Sequence, residues 1–176
     1  MHKDVKEILY SQEEITEMCK RLGKEISKDY EGKEIILIGL LKGSIPFLAE
    51  LSKYIECDCE FDYMKISSYE GVKSNAITVK QDVSVDIKGK HLLVVEDILD
   101  TGKTLDTAIK MFKERGAASV EIAAMLDKVE ARKYDVHAKY AGFVVPNAFV
   151  VGYGLDYDQK YRNLPYIGIL KEEVYQ

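Results

Sequence analysis

Apolar and polar positions follow two periods along the chain, and the switches between them divide it into elements. Ser11 followed by Glu14 forms a capping box. Behind it Ile15, Met18, Cys19, Leu22 and Ile26 recur at helical spacing, which predicts a helix closed near Gly32. Ile35-Ile36-Leu37-Ile38-Gly39-Leu40 is a continuous apolar run, the pattern of a strand buried on both faces. Lys42-Gly43-Ser44 breaks it, and Pro46 suits the first turn of a helix from about Ile45 to Ile55. Phe61, Tyr63 and Lys65 alternate with Asp62, Met64 and Ile66 as in a strand. Residues 67–76 are small and polar, a loop long enough to be either functional or disordered, and Ile77 to Gln81 reads as its returning strand.

His91 to Val95 is a second buried run. After an acidic segment, Leu105, Ala108, Ile109 and Phe112 mark a helix face that Gly116 closes, and Val120 to Leu126 is a third strand. Apolar strands alternating with helices imply βαβ units and a parallel sheet, an α/β fold. Phe143 to Val145, Phe149 to Tyr153 and Ile167 to Leu170 are short β segments around Pro146 and Pro165. They read as a small irregular lobe that caps the sheet.

Composition narrows the function classes. The 176 residues fit one domain, no linker or repeat is visible, and 47% hydrophobic with 31% charged residues is globular composition. No apolar run approaches the roughly 18 residues of a membrane helix, and the first residues lack the apolar stretch of a signal peptide. A net charge of −5 argues against broad electrostatic binding of nucleic acid, a local basic patch aside. Cys19, Cys57 and Cys59 cannot make a disulfide framework. Cys57 and Cys59 are spaced Cys-x-Cys without histidines nearby, so reduced structural thiols of a cytoplasmic protein are expected.

Most of the chemistry lies in residues 92–104, LLVVEDILDTGKT. A buried strand ends in Glu96 and Asp97, Asp100 follows, and Thr101, Gly102, Lys103 and Thr104 lead into a helix. A helix N-terminus after a tight turn offers unpaired N–H groups to a phosphate. Carboxylates beside such a site make sense if they hold ribose hydroxyls or a hard cation such as Mg²⁺. The segment therefore suggests a site for a phosphorylated sugar with metal. Gly102-Lys103-Thr104 does not end a nucleotide-triphosphatase loop, because that pattern needs glycine where Asp97 stands.

LLVVEDILDTGKTL closely resembles the phosphoribosyl-pyrophosphate signature of type I phosphoribosyltransferases, and the chain resembles their compact bacterial hypoxanthine-guanine branch. Leu41-Lys42-Gly43-Ser44 is similar to that family's pyrophosphate loop, and Ser68-Tyr69 to the Ser-Tyr of its mobile loop. Leu126-Asp127-Lys128 stands where the family carries a purine-contacting lysine. Phe149 to Tyr157 and Tyr161-Arg162-Asn163-Leu164-Pro165 resemble its base-binding hood. The resemblance implies a parallel-sheet fold with a small irregular β hood. It implies one domain over 1–176, with a core over about 30–140 and a hood built from the N-terminal segment and about 141–176.

The implied reaction transfers the 5-phosphoribosyl group from phosphoribosyl pyrophosphate to N9 of hypoxanthine or guanine in purine salvage, with Mg²⁺. Asp100 resembles the general base for the purine N7 proton. Glu96 and Asp97 resemble the ribose and Mg²⁺ carboxylates, with direct or water-mediated contact left open. By the same resemblance, residues 101–104 should hold the 5′-phosphate, more by backbone than by the Lys103 side chain. Leu41, Lys42 and Gly43 should bind pyrophosphate across a cis-capable Leu41–Lys42 peptide, with Arg162 adding a side chain. Lys128 should donate to the 6-oxo group, which disfavours adenine's amino group. Phe149 should stack on the base and Val150 offer backbone groups, and Asp156 matches a family position near the base and a second Mg²⁺. Arg132 matches a family basic position. The family's habit implies a homodimer or homotetramer and no nucleic-acid or membrane partner. Asn147 and Ala148 stand where many members carry an acid and some a lysine. A ligand-sensing regulator of RNA or DNA is the alternative from another class. The chain has no room for an added DNA-binding domain, and its acidity disfavours that reading. Mainly xanthine as the base also stays open, because Lys128 reads only the 6-oxo group.

Overall fold

The computed structural model describes residues 1–68 and 77–176. In chain order the elements are β1 (Val5–Tyr10), α1 (Gln12–Asp29), β2 (Ile35–Leu40), α2 (Ile45–Leu51), β3 (Cys59–Ser68) and β4 (Ile77–Gln81). They continue with β5 (His91–Leu99), α3 (Lys103–Glu114), β6 (Ser119–Asp127), β7 (Tyr140–Val144), β8 (Val150–Val151) and β9 (Ile167–Leu170). Six strands form one sheet in the order β4-β3-β2-β5-β6-β7, all parallel except the β3/β4 pair. A second, antiparallel sheet has the order β1-β9-β8.

Local sequence explains the elements well. Ser11 Oγ accepts from the Glu14 N–H at 3.2 Å and Glu14 Oε2 accepts from the Ser11 N–H at 2.8 Å, so the capping box starts α1. The apolar positions expected on one face of that helix are its buried ones. All six residues of β2 are buried, as expected for the middle of a parallel sheet. Successive strand residues point to opposite faces, so each central strand feeds two cores. Ile35, Leu37, Leu93, Val95, Ala123 and Met125 pack toward α1 and α2. Ile36, Ile38, Leu92, Val94, Ile122 and Ala124 pack with Leu105, Ala108 and Phe112 of α3.

Three expectations change. The second helix is α-helical only to Leu51 and tightens into a 3₁₀ turn over Ser52–Tyr54, where Ser52 Oγ bonds back to the Ala49 carbonyl at 3.2 Å. The strand that begins at His91 does not end at Glu96 and Asp97. The ladder with β6 runs on through Glu96↔Ala124, Ile98↔Leu126 and Leu99↔Asp127, so β5 extends past both acids to Leu99. Phe143 and Val144 lie outside the capping lobe, in β7. That strand joins the edge of the large sheet by parallel pairing from Ala123↔Tyr140 to Asp127↔Val144. β7 is short and exposed at Val144, and a 3₁₀ turn over Val129–Ala131 precedes it instead of a helix, so it lacks the marks of a βαβ unit. The sequence pattern does not mark β1, because Val5-Lys6-Glu7-Ile8-Leu9-Tyr10 does not alternate apolar with polar residues, and Lys6, Glu7 and Ile8 are all exposed. It earns its pairing through Val5, which packs on Val151 and Leu170.

Candidate functional site

The sheet changes direction of winding between β2 and β5. From β2 the chain crosses to β3 on one side, while β5 continues the sheet on the other. Outside the carboxyl ends of two such strands a crevice opens, where ligands of open α/β sheets bind. The two segments singled out in the sequence leave these two strand ends: Leu41-Lys42-Gly43 follows β2, and Glu96 to Thr104 closes β5 and opens α3.

The β2 loop has a cis peptide between Leu41 and Lys42, as the resemblance implied. Gly43 is buried, and a Cβ there would stand 1.7 Å from Asp97 Oδ2. The Asp97 carboxylate thus lies directly against the loop backbone, an approach only glycine permits. Gly154, at φ +102°, would place a Cβ 1.9 Å from the Gly43 carbonyl oxygen. These close contacts gather the acid of β5, the β2 loop and the chain after β8 at one place.

Glu96 and Asp97 are adjacent, with the Asp97 N–H donating to Glu96 Oε1 at 3.1 Å and the Ile98 N–H to Asp97 Oδ1 at 2.9 Å. Burial, then the neighbouring Asp97 charge, push the Glu96 carboxyl well above the ordinary carboxylate range. Two carboxylates held together suit a hard divalent cation, which takes oxygen ligands. Among the described residues no cluster of three or more His, Cys, Asp or Glu forms a cage.

Gly102, at φ +88°, turns the chain into α3, and the Thr101 hydroxyl accepts from the Lys103 N–H at 3.4 Å. Residues 98–105 with Glu96 line a cavity of about 80 Å³ over the first turn of α3, where backbone N–H groups lack helical partners. Asp100 is exposed at its rim. Among the described residues no side chain engages the Asp100 carboxylate or the Lys128 ammonium. The Lys128 N–H donates to the Leu99 carbonyl at 3.0 Å, so the lysine begins beside the β5 end.

Arg132 fixes this corner. Its Nε donates to the Asp100 carbonyl at 2.9 Å and one Nη to the Leu99 carbonyl at 3.2 Å, and it pairs with Asp127 and bonds the Val136 carbonyl. The Lys133 and Tyr134 N–H groups donate to the Thr101 carbonyl at 3.0 and 3.1 Å. A position matched only by resemblance thus ties the 128–136 segment to the 99–102 turn.

At the start of β8, Val150 packs in one cluster with Ile98 and Leu155, while the ring of the preceding Phe149 stays 37% exposed. Asp156 and Arg162 pair at 2.8 Å, and Arg162 also donates to the Gly154 carbonyl at 2.7 Å. Gln159, which drew no attention in the sequence, bridges two cations. Its Oε1 accepts from Lys42 Nζ at 3.2 Å and from Arg162 at 3.3 Å, and its N–H caps Asp156 at 2.9 Å. Only the left-handed backbone at Asp158, Gln159 and Tyr161 allows this tight return, and no sequence pattern announces it. Ser68 is the last residue of β3, and Tyr69 lies outside the described residues.

A cleft of about 920 Å³ lies elsewhere, between α1 and the Lys53–Cys57 segment. It opens near Gly32 and Cys57, toward the amino ends of β2 and β3, away from the switch point. Burial pushes the Cys19 thiol up to about 12 and raises Cys57 and Cys59 as well, which suits inert structural thiols. No helix among the described residues is long and apolar enough to cross a membrane.

Known proteins match nearly the whole chain. The family described as the phosphoribosyl transferase domain matches residues 6–158. A hypoxanthine-guanine phosphoribosyltransferase of Streptococcus pneumoniae is 58% identical over 99% of this chain and 98% of its own length. One from Streptococcus thermophilus is 50% identical with the same coverage. The crystal structure of a hypoxanthine phosphoribosyltransferase from Staphylococcus aureus superposes with a TM-score of 0.96 at 46% identity, covering 100% of this chain and 97% of that one.

Proposed function

The chain belongs to the phosphoribosyl transferase domain family, and from that premise we propose that it makes purine nucleotides from phosphoribosyl pyrophosphate and a 6-oxopurine, hypoxanthine or guanine. It is a transferase of purine salvage. The observation that carries the reading is the packing of Asp97 against Gly43 and of Gly43 against Gly154, because one sugar diphosphate then meets all three segments.

Breaking the C1–O bond leaves oxocarbenium character on ribose and negative charge on pyrophosphate. The backbone of Leu41–Gly43 and the side chains of Lys42 and Arg162 take up the pyrophosphate charge, while Thr101–Thr104 and the α3 N-terminus anchor the 5′-phosphate. Arg162 exchanges its Asp156 partner for the anion on binding. Asp100 accepts the N7 proton as N9 attacks. Lys128 donates to the 6-oxo group, Phe149 stacks on the ring, and Val150 presents its backbone to the base edge. Glu96 and Asp97 would hold Mg²⁺ with the ribose hydroxyls, and Asp156 a second ion. Bound there, the ion would neutralise pyrophosphate charge as it departs.

The same reading takes the chain as one domain, its hood formed by β1, β8 and β9, assembling as a homodimer or homotetramer in the cytoplasm. The test is nucleotide formation with Mg²⁺, phosphoribosyl pyrophosphate and, separately, hypoxanthine, guanine, xanthine, adenine and uracil. Turnover with hypoxanthine or guanine supports the reading and ranks the bases. Turnover with none, despite tight phosphoribosyl-pyrophosphate binding, would turn it toward a ligand-sensing regulator.

A further inference from the structure

The Phe149 ring, which the proposed function sets against the base, has aromatic neighbours on two sides. Tyr175 stacks on it with ring centroids 5.0 Å apart at 24°, and Tyr157 meets it edge-on at 5.4 Å and 87°. Tyr157 and Tyr175 touch each other at 6.4 Å and 64°, so the three rings form a closed group. The chain's end is built to deliver Tyr175 there. The Leu170 N–H donates to the Phe149 carbonyl at 2.9 Å, and the Lys171 N–H donates to the Asp4 carbonyl at 3.0 Å. A 3₁₀ turn over Glu172–Val174 then brings Val174 and Tyr175 against Val5, Val151 and Leu170 under the small sheet.

We propose that Tyr175 is a positioning residue for the purine: it covers the back face of Phe149 and holds the ring so that its remaining face is presented to the base. The inference rests on the purine reading above. A half-exposed phenylalanine with free χ angles would lose rotamer freedom when a base stacked on it. A ring pinned from behind meets that cost on folding, before the base arrives. No hydrogen bond among the described residues uses the Tyr175 hydroxyl, so the ring face carries the effect.

The test compares the parent with Tyr175→Ala, Tyr175→Leu and Tyr175→Phe, reading KM for hypoxanthine and guanine, KM for phosphoribosyl pyrophosphate, and kcat. Calorimetric binding of a panel of planar bases is measured on the same proteins. The alanine and leucine variants are expected to raise purine KM about two- to twelvefold, the size of one aromatic pair. Phosphoribosyl-pyrophosphate KM should stay at the parent value and the phenylalanine variant should restore purine KM. Leucine keeps much of the apolar bulk without a ring face, so the comparison survives if the alanine variant does not fold. An unchanged purine KM would overturn the proposal. So would a fall in purine KM, which would put Tyr175 on the base's own face, or a joint rise of both KM values. A parent that binds another planar base but turns over no 6-oxopurine defeats the substrate reading alone, and the base-binding ratio then decides Tyr175. A parent that binds no planar base overturns both.

Discussion

At the residue scale the site divides into groups held by the fold and groups left free for substrate. Arg132 is engaged by four partners, and the Asp97 carboxylate rests on Gly43. Asp100 and Lys128 have no side-chain partner among the described residues, as their proposed roles of proton acceptor and oxo-group donor require. Asp100→Ala should therefore lower kcat by about 10²–10⁴-fold, the usual worth of a positioned general base. Calorimetry should find phosphoribosyl-pyrophosphate binding near the parent value, and parental turnover would reject the assignment. Lys128→Ala removes a charge-assisted hydrogen bond and should cost about 10–100-fold in kcat/KM for hypoxanthine. The sugar-phosphate KM should move far less.

At the scale of elements, a buried carboxylate ties the large sheet's antiparallel edge to the chain after it. Asp62 on β3 accepts from the Tyr63, Ser84 and Val85 N–H groups and from the Ser84 hydroxyl. Burial alone would push its carboxyl up, but these bonds together hold it below the ordinary range. The folded state thus favours the ionised form more than the unfolded chain does. The stabilisation is complete above the unfolded value of about 3.9 and is lost as pH falls through the lower folded value. Denaturant midpoints of the parent should drop across that window. Asp62→Asn should be less stable at pH 7 and lose part of the drop, and an unchanged slope would show that Asp62 carries none of it.

At the scale of the whole molecule, the chain that follows β8 packs closely on the β2 loop at Gly154 and Gly43. Gly154→Ala puts a methyl group into the Gly43 carbonyl and forbids the φ of +102°. Displacing the two segments should cost about 10²-fold in kcat/KM for phosphoribosyl pyrophosphate, the scale of an ångström-sized misplacement. If affinity for that substrate stayed at the parent value, the contact would not organise the site. Sequence alone determined what depends on near neighbours. The capping box of α1, the buried runs of β2 and β5, and the acid-rich turn into α3 were legible because period, caps and short motifs are local properties. So was the family resemblance, which rests on such motifs in order. Tertiary structure decided the rest. The half-exposed run of β1 becomes a strand only through β9, a partner distant in the chain, and the β segment at Phe143 finds its place on the large sheet only by pairing with β6. Gln159 bridges Lys42 and Arg162 from a left-handed turn, and Tyr175 finds Phe149 across the small sheet. These contacts join residues far apart in sequence, and their free energy appears only once the chain has closed the loops between them.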